Sequence, residues 1–248
     1  MTAPPPQTFT DQAAEYGLEF EPGDLDRLGA YLDLLYTANE SFNLTAVRDR
    51  DEAWIRHILD SLTLIPVLAE LPEGAKVADI GSGGGAPGLI LAIAQPHLRF
   101  TLVEVTGKKA RFLRDTAAAL GLTNVEVLSE RAEDLARRPE LRAGFDAVLA
   151  RAVGRIAVIA ELTVPFAKIG AVIALTKGQR TEEELAEARQ ALHMLHVSVA
   201  GIVDTPTGRI VVLEKRRATP HAYPRRAGDP KRAPLGVSTP LQGPGGGD

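Results

Sequence analysis

The stretch VADIGSGGGAPGLILAIA, Val77 to Ala94, decides how the rest of the chain is read. Four residues of an apolar strand run into Gly81, Ser82, Gly83, Gly84, Gly85, Ala86, Pro87 and Gly88, and an apolar helix follows at once. Glycine lets the backbone turn sharply and approach a ligand, and the helix start beyond it presents unpaired amide donors. Pro87 suits the first helical position, where its missing N–H is not needed. A polar or anionic ligand is expected at this loop. Its spacing fits two patterns. Gly81, Gly83 and Ala86 satisfy the GxGxxG/A form of dinucleotide sites, and Gly81, Gly83 and Gly85 satisfy the GxGxG form of S-adenosylmethionine sites.

Downstream, short runs rich in Val, Ile and Leu alternate with helical segments. Strands are expected at 76–80, 99–104, 125–129, 145–150 and 171–176, with helices near 87–94, 108–120, 132–137 and 155–167. Alternation with short connections implies right-handed crossovers and a mostly parallel sheet covered on both faces, a doubly wound α/β fold. Glu104 ends the second strand 23 residues after Gly81, where an acid accepts hydrogen bonds from a ribose diol. After a polar helix near 181–195, the runs 196–203 and 209–214 are joined by only five residues, including Pro206 and Gly208. Parallel neighbours need a longer crossover, so this pair is expected to be antiparallel. That hairpin suits S-adenosylmethionine better than a dinucleotide. So do the tyrosines: Tyr16, Tyr31, Tyr36 and Tyr223 all lie outside the sheet region, leaving no Tyr and Lys pair for hydride chemistry.

Upstream, Leu25, Leu28, Leu32 and Leu35 follow a helical period. A second helix is expected from Asp49, with Glu52 as the reciprocal partner of a capping box, through Ile55, Ile58, Leu59 and Leu62. The organisation expected is a helical N-terminal region over 1–70, a catalytic α/β domain over 71–217, and a basic tail over 218–248 that is disordered from Pro240 on.

Composition sets the outer limits. The 248 residues carry 28 Lys plus Arg against 32 Asp plus Glu, with 45% hydrophobic residues, as in an ordinary soluble domain. The absence of Cys excludes disulfide scaffolds, thiolate zinc sites and cysteine nucleophiles. No apolar run approaches a membrane span, and residues 1–7 lack the character of a signal peptide, so a cytoplasmic placement is expected. His193 and His196 lack a third ligand, and no metal is expected. Ser82 lacks the flanks of a nucleophile elbow. Charge is uneven: residues 1–60 hold twelve acidic residues and four arginines, whereas 209–232 holds eight basic residues and two acidic ones. That basic segment reads as a solvated tail or as a footprint for a polyanion. The helix start at Lys108, Lys109, Arg111 and Arg114 has the same two readings.

Seven motifs occur in order: Phe42 to Ala46; His57 to Leu62; the loop Asp79 to Gly88; Arg131, Ala132 and Glu133; Arg151 and Ala152; Lys177 and Gly178; and Tyr223 to Gly228. Over about residues 25–235 this combination resembles the ribosomal small-subunit RNA methyltransferase G family, also called glucose-inhibited division protein B. The resemblance implies a Rossmann-like class I methyltransferase fold, with a mostly parallel seven-stranded sheet and an antiparallel terminal hairpin. It implies methyl transfer from S-adenosylmethionine to N7 of a guanine in the decoding region of 16S ribosomal RNA, by a monomer acting on that RNA or on the small subunit. By position, Gly81, Gly83, Gly85 and Ala86 would contact the cofactor, with Gly81 and Ala86 on its methionine side. Glu104, Val105 and Thr106 would meet the ribose and adenine, Ala132 and Glu133 would flank the adenine, and Arg151 would close the site, contacting the cofactor and positioning the substrate. Ala86 stands where family members often carry a larger apolar residue, which implies a looser contact. No general base is expected, because guanine N7 already has a free lone pair. Lys177, Arg225 and Arg226 are the expected phosphate contacts, while Asn43, His57 and Asp60 are placed at the pocket mouth or in helix packing. The alternatives are a small-molecule or protein methyltransferase, and a nucleotide-binding regulatory module in cell division.

Overall fold

The computed structural model describes residues 4–151 and 154–236. Its centre is a seven-stranded sheet made of β1 (Lys76–Ile80), β2 (Arg99–Val103), β3 (Val125–Leu128), β4 (Phe145–Arg151), β5 (Ala167–Lys177), β6 (Val197–Asp204) and β7 (Arg209–Lys215), in the order β3-β2-β1-β4-β5-β7-β6. The first five strands are parallel, and β7 lies antiparallel between β5 and β6. Strand order reverses between β1 and β4, which opens a crevice beyond the carboxyl ends of those strands. The fold class is the one expected, and so is the antiparallel hairpin.

Helices α1 (Gln7–Glu15), α2 (Asp24–Asn39), α3 (Arg50–Ala53), α4 (Asp60–Leu62) and α5 (Ile65–Leu68) precede the sheet. The expected second helix is not uniform: a π-helical stretch, Trp54–Leu59, joins α3 to α4. Asp49 caps it by accepting from the Glu52 amide at 2.8 Å, but Glu52 does not reach back as a capping box requires. Its carboxylate pairs instead with Arg56, one turn ahead. Helix α1 was not foreseen, because only Phe9 and Ala13 of its nine residues are buried and their spacing is too brief to register as a period.

Between strands lie α6 (Gly88–Ala94), α7 (Gly107–Ala119), α8 (Ala132–Leu135), α9 (Ile156–Thr163) and α10 (Thr181–Leu195). Helix α9 is shorter than expected: Pro165 sits in a 3-10 turn, Val164–Phe166, that leads directly into an early start of β5. On one face of the sheet Phe9, Tyr31 and Trp54 join Leu89, Phe100 and Leu102 in a single core. The first seventy residues therefore share a core with the α/β domain. Each of those aromatic side chains contributes about 1.5–3 kcal/mol through burial. On the other face α8, α9 and α10 pack over β4, β5 and β7.

The segment after β7 is built into the fold. Arg142 donates to the carbonyls of Thr219, Pro220 and Tyr223, and Arg137 to that of Pro224. A short helix α11 (Asp229–Arg232) follows. The disorder expected from Pro240 on concerns residues outside those described, as does Ala152.

Candidate active site

The glycine loop leaves β1 through Gly81, at φ +78°, and doubles back so that Gly88 opens α6. Gly88 permits the closest packing in the loop: a Cβ there would lie 2.3 Å from Leu102 Cδ2 and 2.7 Å from Asp79 Oδ2. Its amide donates to that same Asp79 oxygen at 3.2 Å. Asp79 is buried, its other carboxylate oxygen has no partner, and burial raises its pKa to about 6. Across the loop, Glu104 accepts from the amides of Gly83 at 3.0 Å and Thr106 at 2.7 Å. The acid expected to hold a ribose thus also clamps the loop that it faces. Tyr31 ties α2 to the same loop by donating to the Gly84 carbonyl at 2.9 Å.

Beyond the clamp is a cavity of about 630 Å³, lined in part by Gly81, Glu104, Val105, Ala132 and Glu133. Val158 and Leu162 of α9 add an apolar wall, and Pro230, Lys231 and Pro234 of the C-terminal segment close it. Glu133 connects these parts: its Oε1 accepts from Arg131 and from the Gly228 amide, each at 2.9 Å. Burial opposes its charge, yet those donors outweigh burial and hold its pKa below the ordinary range. An acid at one end and an apolar slot closed by prolines at the other suit the ribose and adenine of a nucleoside cofactor.

Several expected contacts fall elsewhere. Gly83 and Thr106 act through their amides on Glu104. Gly85, at φ +100°, packs against Leu89 and Leu113, and Ala86 packs against the core shared with the N-terminal helices; neither is among the residues lining the cavity. Arg151 does not line it either. Arg151 borders a second cavity of about 390 Å³ together with His57, Asp60, Thr176, Lys177 and Thr207. There Arg151 Nη1 donates to the Arg56 carbonyl at 2.8 Å, and Nη2 lies 3.3 Å from His57 Nδ1. The other ring nitrogen of His57 lies 2.8 Å from Thr45 Oγ1. Burial first, then the Arg151 charge, lower the His57 pKa to about 4. The imidazole is therefore neutral near pH 7, with its lone pair turned to Arg151.

Two of the three expected phosphate contacts are engaged inside the protein. Lys177 pairs with Glu184 at 2.8 Å and donates to the Gly154 carbonyl. The Arg225 guanidinium and amide both bind the fully buried carboxylate of Glu161. Arg226 is exposed, and so is Asn43. The closing residues Pro230 and Pro234 carry no local signal of cofactor contact; only the run Tyr223 to Gly228 before them stood out. Among the described residues no group of three or more His, Asp or Glu is arranged to hold a metal, and no helix is long and apolar enough to cross a membrane.

A doubly wound sheet ending in an antiparallel hairpin, with an acid facing a glycine loop at the switch point, defines a class I S-adenosylmethionine-dependent methyltransferase. The fold is similar to that of the cofactor-bound protein Rv0187 from MTB (TM-score 0.58, 22% identity, 88% of this chain and 100% of that one). It is also similar to a SAM dependent methyltransferase from Aquifex aeolicus (TM-score 0.50, 17% identity, 73% and 97%). The chain belongs to the GidB family, rRNA small subunit methyltransferase G, whose model matches residues 24–211. It is 51% identical over 222 residues to the ribosomal RNA small subunit methyltransferase G of Sorangium cellulosum, covering 90% of this chain and 92% of that one. It is 37% identical over 239 residues to the protein of the same name from Lactobacillus delbrueckii subsp. bulgaricus, covering 93% and 99%.

Proposed function

We propose that the protein methylates N7 of a guanine in 16S ribosomal RNA, acting as a cytoplasmic monomer on that RNA or on the small subunit. S-adenosylmethionine supplies, when bound, a methyl group made electrophilic by a sulfonium. Glu104 and Gly81 would hold its nucleoside and loop-facing parts, and Ala132, Glu133 and the Pro230–Pro234 segment would enclose its adenine. The observation that carries the reading is the pairing of this cavity with a second one in which both ring nitrogens of His57 are engaged and the Asp60 carboxylate is ion-paired with Arg151. A nucleophile that had to lose a proton would call for a free base, whereas guanine N7 offers an in-plane lone pair and needs only alignment and exclusion of water.

Arg151, held by Arg56 and His57, would position the base from the side of β4. Because N7 of A-form RNA lies in a deep, narrow groove, the target guanine is taken unpaired or splayed out. Of the expected phosphate contacts, Arg226 remains. Mass spectrometry of 16S ribosomal RNA from cells with and without the gene tests the proposal: one N7-methylguanosine is lost on deletion and returns on complementation. An unchanged modification map overturns it.

A further inference from the structure

The second cavity contains a donor and an acceptor that form an ion pair without a hydrogen bond between them. Asp60 is 3% exposed, and its Oδ1 accepts from Thr205 Oγ1 and Thr207 Oγ1, each at 2.8 Å, in the turn between β6 and β7. Its Oδ2 lies 3.7 Å from Arg151 Nη1, too far for a hydrogen bond. Arg151 is itself immobilised by Arg56 and His57. On the same cavity wall the Thr176 hydroxyl is buried and has no partner. Buried polar groups left unpaired in a pocket discriminate strongly in favour of a ligand that satisfies them.

From this we infer that Asp60 selects guanine, reading its Watson–Crick edge with Oδ2 while Arg151 donates to O6; the inference rests on the guanine target proposed above. Guanine carries the N1–H and N2–H donors side by side next to the O6 acceptor, so the one free oxygen, Oδ2, accepts from both while a guanidinium N–H meets O6. Adenine presents the reverse order on that edge and would set its N1 lone pair against the carboxylate. A guanine held by its Watson–Crick edge keeps N7 free for the methyl group. The two threonines fix which carboxylate oxygen is available, and so make the reading directional.

The test separates reading from mere support of the hairpin. Asp60→Asn retains an oxygen for Thr205 and Thr207 but replaces Oδ2 with an amide donor. Reconstituted small subunits would carry either the natural guanosine or inosine, which lacks the 2-amino group, at the methylated position. With S-adenosylmethionine as donor, wild type is expected to prefer guanosine by about 10-fold or more in kcat/KM, as for loss of one base-edge contact. Asp60→Asn is expected to lower kcat/KM for guanosine by about 100-fold and bring the preference close to one, with S-adenosylhomocysteine affinity unchanged. Thr205→Val, which leaves Thr207 on Oδ1 and changes no residue of the cavity wall, is expected to keep the preference for guanosine. An Asp60→Asn enzyme that is slower but keeps the wild-type preference, or a wild type that shows none, overturns the assignment of Asp60 alone. A wild-type product other than N7-methylguanosine overturns the guanine reading, and Asp60's role with it.

Discussion

Two buried ionisable groups on either side of the site have opposite leanings, and their balance can be measured. His57 has a folded pKa of about 4 against 6.5 for an ordinary His, so stability linked to it is present above 6.5 and lost as pH falls toward 4. Asp79 has a folded pKa of about 6 against 3.8, so its stability is present below 3.8 and lost as pH rises through 6. Between about pH 4 and 6 the two slopes cancel, each being about 1.4 kcal/mol per pH unit. Asp79→Asn removes one of them. Urea unfolding across this window is expected to show the variant gaining on wild type by about 1.4 kcal/mol per pH unit as pH rises, and a constant difference would contradict it. Glu104 and Arg151 should separate in another way. Removing Glu104 frees two clamped amides as well as the ribose acceptor, so Glu104→Ala is expected to weaken S-adenosylhomocysteine binding by about 10- to 100-fold. Arg151→Ala should leave that affinity within a factor of about two and lower kcat instead, because Arg151 borders the other cavity. Calorimetry with single-turnover kinetics distinguishes the two; a loss of cofactor affinity in Arg151→Ala would return that residue to the first cavity.

Among the elements, the join between β1 and α6 is the least tolerant. Gly88 sits where any side chain would enter Leu102 and Asp79, so Gly88→Ala forces the helix away from the sheet or breaks the Asp79 hydrogen bond. Overpacking of this kind costs about 1–3 kcal/mol, and here it also displaces the loop that Glu104 holds. Expected outcomes are a lower urea midpoint and a smaller thermal shift with S-adenosylhomocysteine. A variant with wild-type values on both would show that the loop does not depend on this contact. The glycine pattern pointed to the loop but assigned no role to Gly88, because close helix-to-strand packing becomes visible only when both partners are placed. The π-helical stretch before Asp60 was equally hidden, since Trp54, Ile58 and Leu62 recur every four residues in either kind of helix.

At the scale of the whole molecule, the basic C-terminal segment changes meaning once it is folded. Arg209 pairs with Glu182 and Asp204, Arg216 with Glu214, Arg225 with Glu161 and Arg232 with Asp229, and Lys215 donates to the carbonyls of Val164 and Ala167. Much of what counts as an RNA footprint by composition holds the segment against the protein. Arg225→Ala is therefore expected to cost about 3 kcal/mol of stability by leaving the buried Glu161 carboxylate with the residue 225 amide but no counter-charge. Arg226→Ala should leave stability unchanged and reduce the salt dependence of RNA binding by about 0.7 in the log–log slope, the contribution of one single-strand phosphate contact. Filter binding over a salt series and urea unfolding read the two effects, and the reverse pattern would reassign the pair. Local order made the strands, the glycine loop, Glu104 and the terminal hairpin legible: each is encoded by neighbours within a few residues, through apolar period, turn length and backbone freedom. Contacts between distant segments were not legible in this way. That Phe9 and Trp54 share a core with Phe100, that Pro230 and Pro234 close the cofactor cavity, and that Glu161 claims Arg225 across sixty-four residues all depend on how the layers pack. A side chain's charge is written in the chain, but whether that charge faces solvent or a buried counter-ion is decided only when the chain has folded around it.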